Sequence, residues 1–236
     1  MALFRFIKTK PRIVLFAGKN MVSLQILNFL NNRKDLIIHV FNERDEITRD
    51  IVASYHPDVI ITCYWPYLLK PEIFEIPMYG CINFHPSLLP ENRGWYPVVW
   101  EILSLEQRAG VTLHLIDKGA DTGPIIAQRE FPVKETDTGE TLYGRSQLQM
   151  IELFEETWPK LFNPGVELTE QDPKLATYHS KEDASHYDEI DVDQMYVASY
   201  LIDLIRAKTF KRKGYAFYRK DGKKYHMKIE ITESDE

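Results

Sequence analysis

Apolar residues along this chain follow two alternating rhythms. RIVLFAG (12–18), LIIHVF (36–41) and DVIITCYW (58–65) are nearly unbroken apolar runs, as strands buried on both faces are. Between them, MVSLQILNFL (21–30) carries Val22, Ile26, Leu27 and Leu30 on a helical stripe, and RDEITRDIVASY (44–55) reads as a helix with acids early. Strand and helix alternate with short connections, which predicts a βαβαβ unit on a parallel sheet. CINFHPS (81–87) continues the sheet, YPVVWEILS (96–104) predicts a helix and GVTLHLID (110–117) an alternating strand. GADTGPIIAQREFPV (119–133) turns and then extends. TGETLYGRSQLQMIELFEETWPKLF (138–162) predicts a long helix with Leu142, Leu148, Ile151 and Phe154 near one face, bent or ended at Trp158-Pro159.

After residue 162 the pattern changes. Residues 163–190 are polar and acidic, with NPG, DP and EDASHYDE, and read as an irregular connection. DVDQMYVASYLIDLIRAK (191–208) predicts a helix with Asp193 as N-cap and Val197, Leu201, Leu204 and Ile205 facing inward. YAFYRKDGKKYHMKIEI (215–231) predicts two strands around Asp221-Gly222. Tyr225, Met227, Ile229 and Ile231 would share one face of it, with Lys224, His226, Lys228 and Glu230 opposite. A lone hairpin is marginal in water, so that apolar face must pack on its own domain or on a second copy; a homodimer with the hairpin at or near the seam is expected. The fold class is α/β, a parallel or mixed sheet flanked by helices, with a domain over 1–162 and a small helix-plus-hairpin extension over 163–236.

Composition narrows the class. The 236 residues are 44% hydrophobic, enough for one full α/β core and a small extension. Cys63 and Cys81 form no disulfide framework and no CxxC pair, and read as buried core residues of a reduced compartment. No apolar run approaches the ~20 residues of a membrane helix. The opening MALFRFIKTKPR is broken by Arg5 and Lys8 and lacks a cleavage pattern, so a soluble cytoplasmic protein is expected. Residues 206–228 hold ten Lys/Arg against Asp221 alone, a net of +9, which leaves −15 for the rest of a chain whose total is −6. Such a segment suits local anion binding or a solvated face.

The candidate chemistry lies at strand ends. FAGKN (16–20) has one glycine before a helix, but neither GxGxxG nor GxxxxGK[ST] occurs, which excludes the common dinucleotide and P-loop readings. Lys19 and Asn20 nonetheless sit where open α/β sheets bind ligands. In CINFHPS, Asn83 and His85 project from the same face, and Pro86 stops the strand just after them. Taken alone the pair reads equally as two satisfied structural polar residues. DKGADTG (117–123) adds Asp117 and Asp121 in a Gly-rich loop. If the strands 81–85 and 110–117 are neighbours, this loop hangs over the same end of the sheet, where an Asp would favour the imidazolium form of His85. Asn, His and Asp supply no nucleophile. They suit a reaction in which the substrate brings one and the protein handles a proton and an oxyanion, such as acyl transfer to an amine. Ser87 lies in a Pro-bounded turn without GxSxG, against a serine hydrolase.

INFHPSLLPENRG followed by GVTLHLIDKGADTGPII resembles the folate-dependent formyltransferase family. Its pattern, Asn-x-His-x-Ser-Leu-Leu-Pro and then Asp-x-Gly-x-Asp-x-Gly, is present in order, and the likeness covers roughly residues 12–160. The resemblance implies that Asn83, His85 and Asp121 are catalytic, that N10-formyltetrahydrofolate is the donor, and that no metal takes part. It implies a pterin pocket built by YWPYLLKP (64–71) and the SLLP turn, with Pro66, Tyr67, Leu68, Leu69 and Leu88 as walls and Asp121 alongside. It also implies that Asn83 and a protonated His85 donate to the oxyanion while Asp121 supports the imidazolium.

Within the family, sugar-nucleotide N-formyltransferases, of the dTDP-4-amino-4,6-dideoxyglucose type, are most similar, through NRGWYPVVW and the C-terminal IDLIRAKTF and GYAFYRKDGKKYHM. The implied acceptor is a nucleotide-linked amino sugar used for surface polysaccharide. An acidic chain disfavours tRNA, and the 191–231 extension disfavours the glycinamide ribonucleotide branch. A non-catalytic folate- or nucleotide-binding relative is the remaining alternative. Lys19, Asn20, Arg93, Trp95 and Tyr96 are the candidates near sugar and phosphates, and Tyr215, Phe217 and Tyr218 for stacking on the base or, equally, for ordinary packing.

Overall fold

The computed structural model describes residues 3–42, 45–104, 107–210 and 214–234. Six strands form one sheet. In spatial order they are Leu36–Asn42, Arg12–Ala17, Val59–Cys63, Cys81–His85, Arg108–Leu115 and Ile125–Pro132. The first four run parallel, Arg108–Leu115 runs antiparallel to them, and Ile125–Pro132, antiparallel to Arg108–Leu115, runs in the direction of the first four. The unbroken apolar runs have the expected cause. Ile13, Leu15, Val59, Ile61 and Ile82 pack on one face, and Val14, Phe16, Ile60 and Cys81 on the other. The helices Met21–Asn32 and Gly139–Thr157 cover the first face; Arg49–Ser54 and Pro71–Phe74 cover the second. Cys63 and Cys81 are buried and free, as expected.

Several predicted elements are shorter than their apolar patterns. The helix expected over 44–55 is Arg49–Ser54, capped by the Thr48 side chain, and residue 44 lies outside the described residues. The strand expected over 110–117 keeps its length but starts two residues earlier, as Arg108–Leu115. The long helix is Gly139–Thr157, capped by a Thr138–Thr141 box, and passes into a 3-10 turn at Trp158–Leu161 where Pro159 removes a donor. Leu148 is 52% exposed, and Met150 and Leu153 bury in its place.

The 163–190 connection is more ordered than its composition predicts. It pairs Val166–Glu167 with Leu3–Phe4, pairs Tyr178–His179 with Arg93–Gly94, and carries the helix Lys181–His186, boxed by Ser180 and Asp183. The last helix is Ala198–Ala207, not 191–208. Asp193 does not cap it; Val197 occupies the cap position and is exposed. This helix packs on Pro97–Leu103 through Ala207, Leu204 and Leu103, and the buried Arg206 donates to the carbonyls of Lys134, Glu135 and Asp137. The hairpin pairs Phe217–Lys220 with Lys223–His226. Asp221 and Gly222 both take positive φ, as a two-residue turn of this hand requires. Its strands stop at His226, so Met227, Ile229 and Ile231 do not continue one strand face, and Tyr225 is exposed, stacked on Tyr218. Among the described residues no helix is long and apolar enough to cross a membrane.

Candidate active site

Four polar side chains meet on one face of the sheet. Asn83 and His85 alternate along the central strand, and His114 lies opposite Asn83 in the antiparallel neighbour. Asp121 arrives from the loop after that neighbour, its Oδ2 3.5 Å from His85 Nδ1 and its Oδ1 3.6 Å from His114 Nε2. The strands are neighbours, as expected, but their antiparallel direction means that the loop leaves from the far end. It folds back to deliver Asp121, which takes a left-handed conformation at φ 55°. Asp tolerates that region better than most residues.

Backbone and neighbour contacts fix the protons. His114 Nδ1 lies 2.9 Å from the Leu115 carbonyl and donates to it, and His114 Nε2 lies 3.0 Å from Asn83 Nδ2. The Thr62 hydroxyl donates to Asn83 Oδ1 at 2.6 Å, so the Asn83 amide is oriented from both sides and keeps one N–H uncommitted. His85 Nε2 lies 2.9 Å from the Asn92 carbonyl and donates to it. In the neutral ring, Nδ1 is then bare and faces Asp121.

Burial lowers the pKa of His85 below the ordinary 6.5, against the opposing pull of Asp121; His114 and Arg93 add to the lowering. The expected resting imidazolium is therefore corrected to a neutral ring. Burial alone would raise the Asp121 carboxyl, but a proton on the neighbouring His85 or His114 ring and the Gly94 N–H, which donates to Oδ2 at 3.0 Å, hold it well below the usual carboxylate range. The site rests as a carboxylate beside a bare imidazole nitrogen, with one amide N–H to spare. Ser87 is fully buried and donates to the Glu91 carbonyl, so it presents no nucleophile.

His114 and Thr62 were missed in sequence. Thr112-x-His114 repeats the polar alternation of Asn83-x-His85, and that repeat was the available signal.

The other candidates fall in several places. Asn20 is engaged as the N-cap of Met21–Asn32, accepting from Ser23 N, and Lys19 is exposed beside it. Gly18 needs no phosphate to explain it: a Cβ there would lie 2.1 Å from the Tyr64 carbonyl. The 64–71 loop leaves the sheet next to the central strand, with Pro66, Tyr67 and Leu68 exposed and Leu69 half-buried. A cavity of about 440 Å³ is lined by Trp65, Tyr67, Leu68 and Leu69 with Thr48 and Ile73. Leu88 packs tightly on Gly110. Trp95 and Tyr96 are exposed, with Lys181 Nζ 3.7 Å from the Trp95 ring centre. Arg93 is half-buried and held by Gln171. In the hairpin, Tyr215 is exposed and Tyr218 stacks on Tyr225, but Phe217 is only 7% exposed and lies under Lys224, so it offers no open face to a base. A larger cleft of about 780 Å³ lies at the opposite end of the strands, among Phe4, Tyr79, Leu115 and Lys118, away from Asn83 and His85. Among the described residues no group of three or more His, Cys, Asp or Glu is placed to hold a metal ion.

The Formyl transferase family model matches residues 16–157, and the N-formyltransferase dimerization C-terminal domain matches 183–233. A methionyl-tRNA formyltransferase from Bacillus licheniformis is 35% identical over 135 residues, 57% of this chain and 43% of that protein, so this chain spans less than half of that relative. The formyltransferase PseJ from Anoxybacillus kamchatkensis was solved in complex with UDP-4,6-dideoxy-4-formamido-L-AltNAc and tetrahydrofolate. It is 34% identical, with a TM-score of 0.64 over 75% of this chain and 89% of that one. A sugar N-formyltransferase from Shewanella sp FDAARGOS_354 shares the fold at a TM-score of 0.83 and 22% identity, over 95% of this chain and 99% of that one.

Proposed function

The chain belongs to the formyl transferase family, and from that premise we propose that it transfers a formyl group from N10-formyltetrahydrofolate to the amine of a nucleotide-linked amino sugar. The observation that carries the chemical step is the juxtaposition of Asn83, His85 and Asp121 on one sheet face. The donor supplies an electrophilic formyl carbon, and the acceptor supplies a neutral amine. As the amine adds, the spare Asn83 N–H donates to the developing oxyanion. The bare Nδ1 of His85 takes the amine proton, and Asp121 and the Asn92 carbonyl hold the resulting imidazolium from its two sides. The same ring then returns the proton to the leaving folate nitrogen. His85 thus acts first as base and then as acid, which a neutral resting ring permits.

The residues around 64–71 fit a flat heterocycle. Trp65, Tyr67, Leu68 and Leu69 line a cavity whose other walls include Asp45, Arg49, Lys70 and Glu72, and the Trp65 indole N–H is buried without a partner. We assign Pro66, Tyr67, Leu68 and Leu69, with Leu88 and Asp121, to the folate side. Lys19, Arg93, Trp95 and Tyr96 are assigned to the acceptor side, where a cation and aromatic rings suit a diphosphate and a sugar.

An amino-sugar acceptor is favoured over aminoacyl-tRNA by two observations. The PseJ relative holds a formamido sugar nucleotide, and the C-terminal segment matches an N-formyltransferase dimerization domain. The methionyl-tRNA relatives match over the catalytic portion that any member would share. The product is an N-formylated sugar nucleotide for surface polysaccharide. We further propose a homodimer formed through residues 183–233, a region that exposes Val192, Met195, Val197, Tyr200 and Ile202. A panel of dTDP- and UDP-linked amino sugars, incubated with N10-formyltetrahydrofolate and the protein, tests the acceptor. One or more should gain the mass of a single formyl group. Transfer to methionyl-tRNA alone would overturn the sugar reading.

A further inference from the structure

Residues 158–182 lie outside both family matches, and their composition reads as a connection. Yet this stretch touches both supports of His85. Its backbone is pinned where Ile125 and Thr169 exchange N–H···O bonds of 2.8 and 2.9 Å. Farther on, the Asn92 N–H donates to the Thr177 hydroxyl at 2.7 Å, the Arg93 N–H to the Thr177 carbonyl and the Trp95 N–H to the His179 carbonyl. Asn92 is the residue whose carbonyl receives His85 Nε2–H.

Gln171 lies between these anchors, and its amide is fully used. Nε2 donates to the carbonyls of Asp121 at 2.9 Å and Gly123 at 2.7 Å. Oε1 accepts from Arg93 Nε at 3.1 Å and NH2 at 2.6 Å. One side chain therefore joins the two loops that face each other across His85: the 92–96 turn and the 117–123 loop. It grips the second at the carbonyl of Asp121 itself, a residue with left-handed backbone whose carboxylate direction depends on that conformation.

We propose that Gln171 is a positioning residue that locks the backbone of Asp121 and so aims its carboxylate at His85. The proposal rests on the formyl-transfer reading for its kinetic consequence, but not for its geometric one. The groups facing His85 are Asp121 and His114, with Arg93 beyond and the Asn92 carbonyl at the other ring nitrogen. When Asp121 drifts, the His85 ring loses the one negative charge beside it, and its titration midpoint falls.

The test is a four-protein cycle of wild type, Gln171→Ala, Asp121→Asn and the double variant, with the His85 imidazole titrated by NMR. Gln171→Ala should lower the midpoint in the same direction as Asp121→Asn, and should add nothing in the Asp121→Asn background. A midpoint that Gln171→Ala leaves unmoved, or moves equally in both backgrounds, overturns the proposal. This readout stands whether or not formyl transfer is the reaction. Where wild type does transfer formyl, Gln171→Ala should cut kcat roughly tenfold to a hundredfold, a larger factor than any accompanying rise in KM. A loss confined to KM overturns it. Gln171→Met keeps the length of the side chain, loses the donors to the loop and adds no charge. It should match Gln171→Ala in both readouts, and it carries the test if the alanine variant does not fold. Wild-type behaviour of Gln171→Met would show that the amide does not aim Asp121 and overturn the proposal.

Discussion

At the scale of single residues, the site is explained by which polar atoms are already committed. Asn83 offers one N–H only because Thr62 and His114 fix the rest of its amide. Asn83→Ala should lower kcat by about a hundredfold, the usual worth of one oxyanion donor, and cost about 1–3 kcal/mol of stability, because the buried Thr62 and His114 side chains lose a partner. The neutral state of His85 sets the pH behaviour. Its pKa lies below 6.5, so kcat/KM corrected for the fraction of neutral acceptor amine should hold level as pH falls to 6.5 and decline below that as the ring protonates. Because Asp121 raises the His85 pKa, Asp121→Asn should move the declining limb to lower pH while reducing the maximum rate. Glu101 gives a different signature. Burial pushes its carboxyl from 4.5 up to about 8, partly offset by the Gly110 N–H, and its Oε2 has no partner. The folded state therefore keeps a proton that the unfolded chain releases. Stability from this group is full below pH 4.5 and is lost as pH rises through about 8. Glu101→Gln should match wild type near the acid end and unfold at a higher Tm in alkali. The gain should reach a few kcal/mol, since each tenfold change in proton affinity is worth about 1.4 kcal/mol. Calorimetry across pH checks it.

At the scale of elements, close backbone approach decides more than propensity does. Gly18 ends the first strand where the Tyr64 carbonyl passes within 2.1 Å of a hypothetical Cβ. Gly18→Ala should force the 64–71 loop outward, cost about 1–3 kcal/mol as overpacking does, and raise KM for the folate donor more than it lowers kcat. Thermal unfolding and donor titration measure the two effects. The sheet and its flanking helices were legible because their apolar periodicity is set by burial on two faces. Asn83 and His85 were legible because polar residues on a core strand, just before Pro86, are costly without a purpose. Three features were not legible. The antiparallel direction of Arg108–Leu115 leaves no mark on a strand's own pattern. The resting charge of His85 depends on burial, which outweighs the nearby Asp121. Gln171 acts through a contact to Asp121 some fifty residues distant in sequence. The start of the last helix was misplaced because Asp193 resembles an N-cap and Val197 continues the stripe of Leu201, Leu204 and Ile205 while lying exposed.

At the scale of the molecule, that exposed apolar stretch bears on assembly. Met195 is 95% exposed, beside exposed Val192 and Val197, within the segment matched by the dimerization domain. Sedimentation should find a dimer for the intact chain, and Val197→Asp should shift it toward monomer with the fold retained. A monomer at micromolar concentration would rule out the assembly, and a Val197→Asp protein that stays dimeric would place the seam elsewhere. The connection between the sheet domain and the C-terminal unit also reaches the site: it carries Gln171 and Thr177, which brace Asp121 and Asn92. Sheet and connecting segment therefore converge on one imidazole ring. If His85, aimed by Asp121, moves the proton in formyl transfer, the reaction should fail without that ring. The direct measurement is release of tetrahydrofolate from N10-formyltetrahydrofolate, dependent on a nucleotide-linked amino sugar, compared between wild type and a folded His85→Ala protein. Wild type should show sugar-dependent release, and the variant should lose nearly all of it. Equal rates from the two proteins would contradict a proton-moving role for His85.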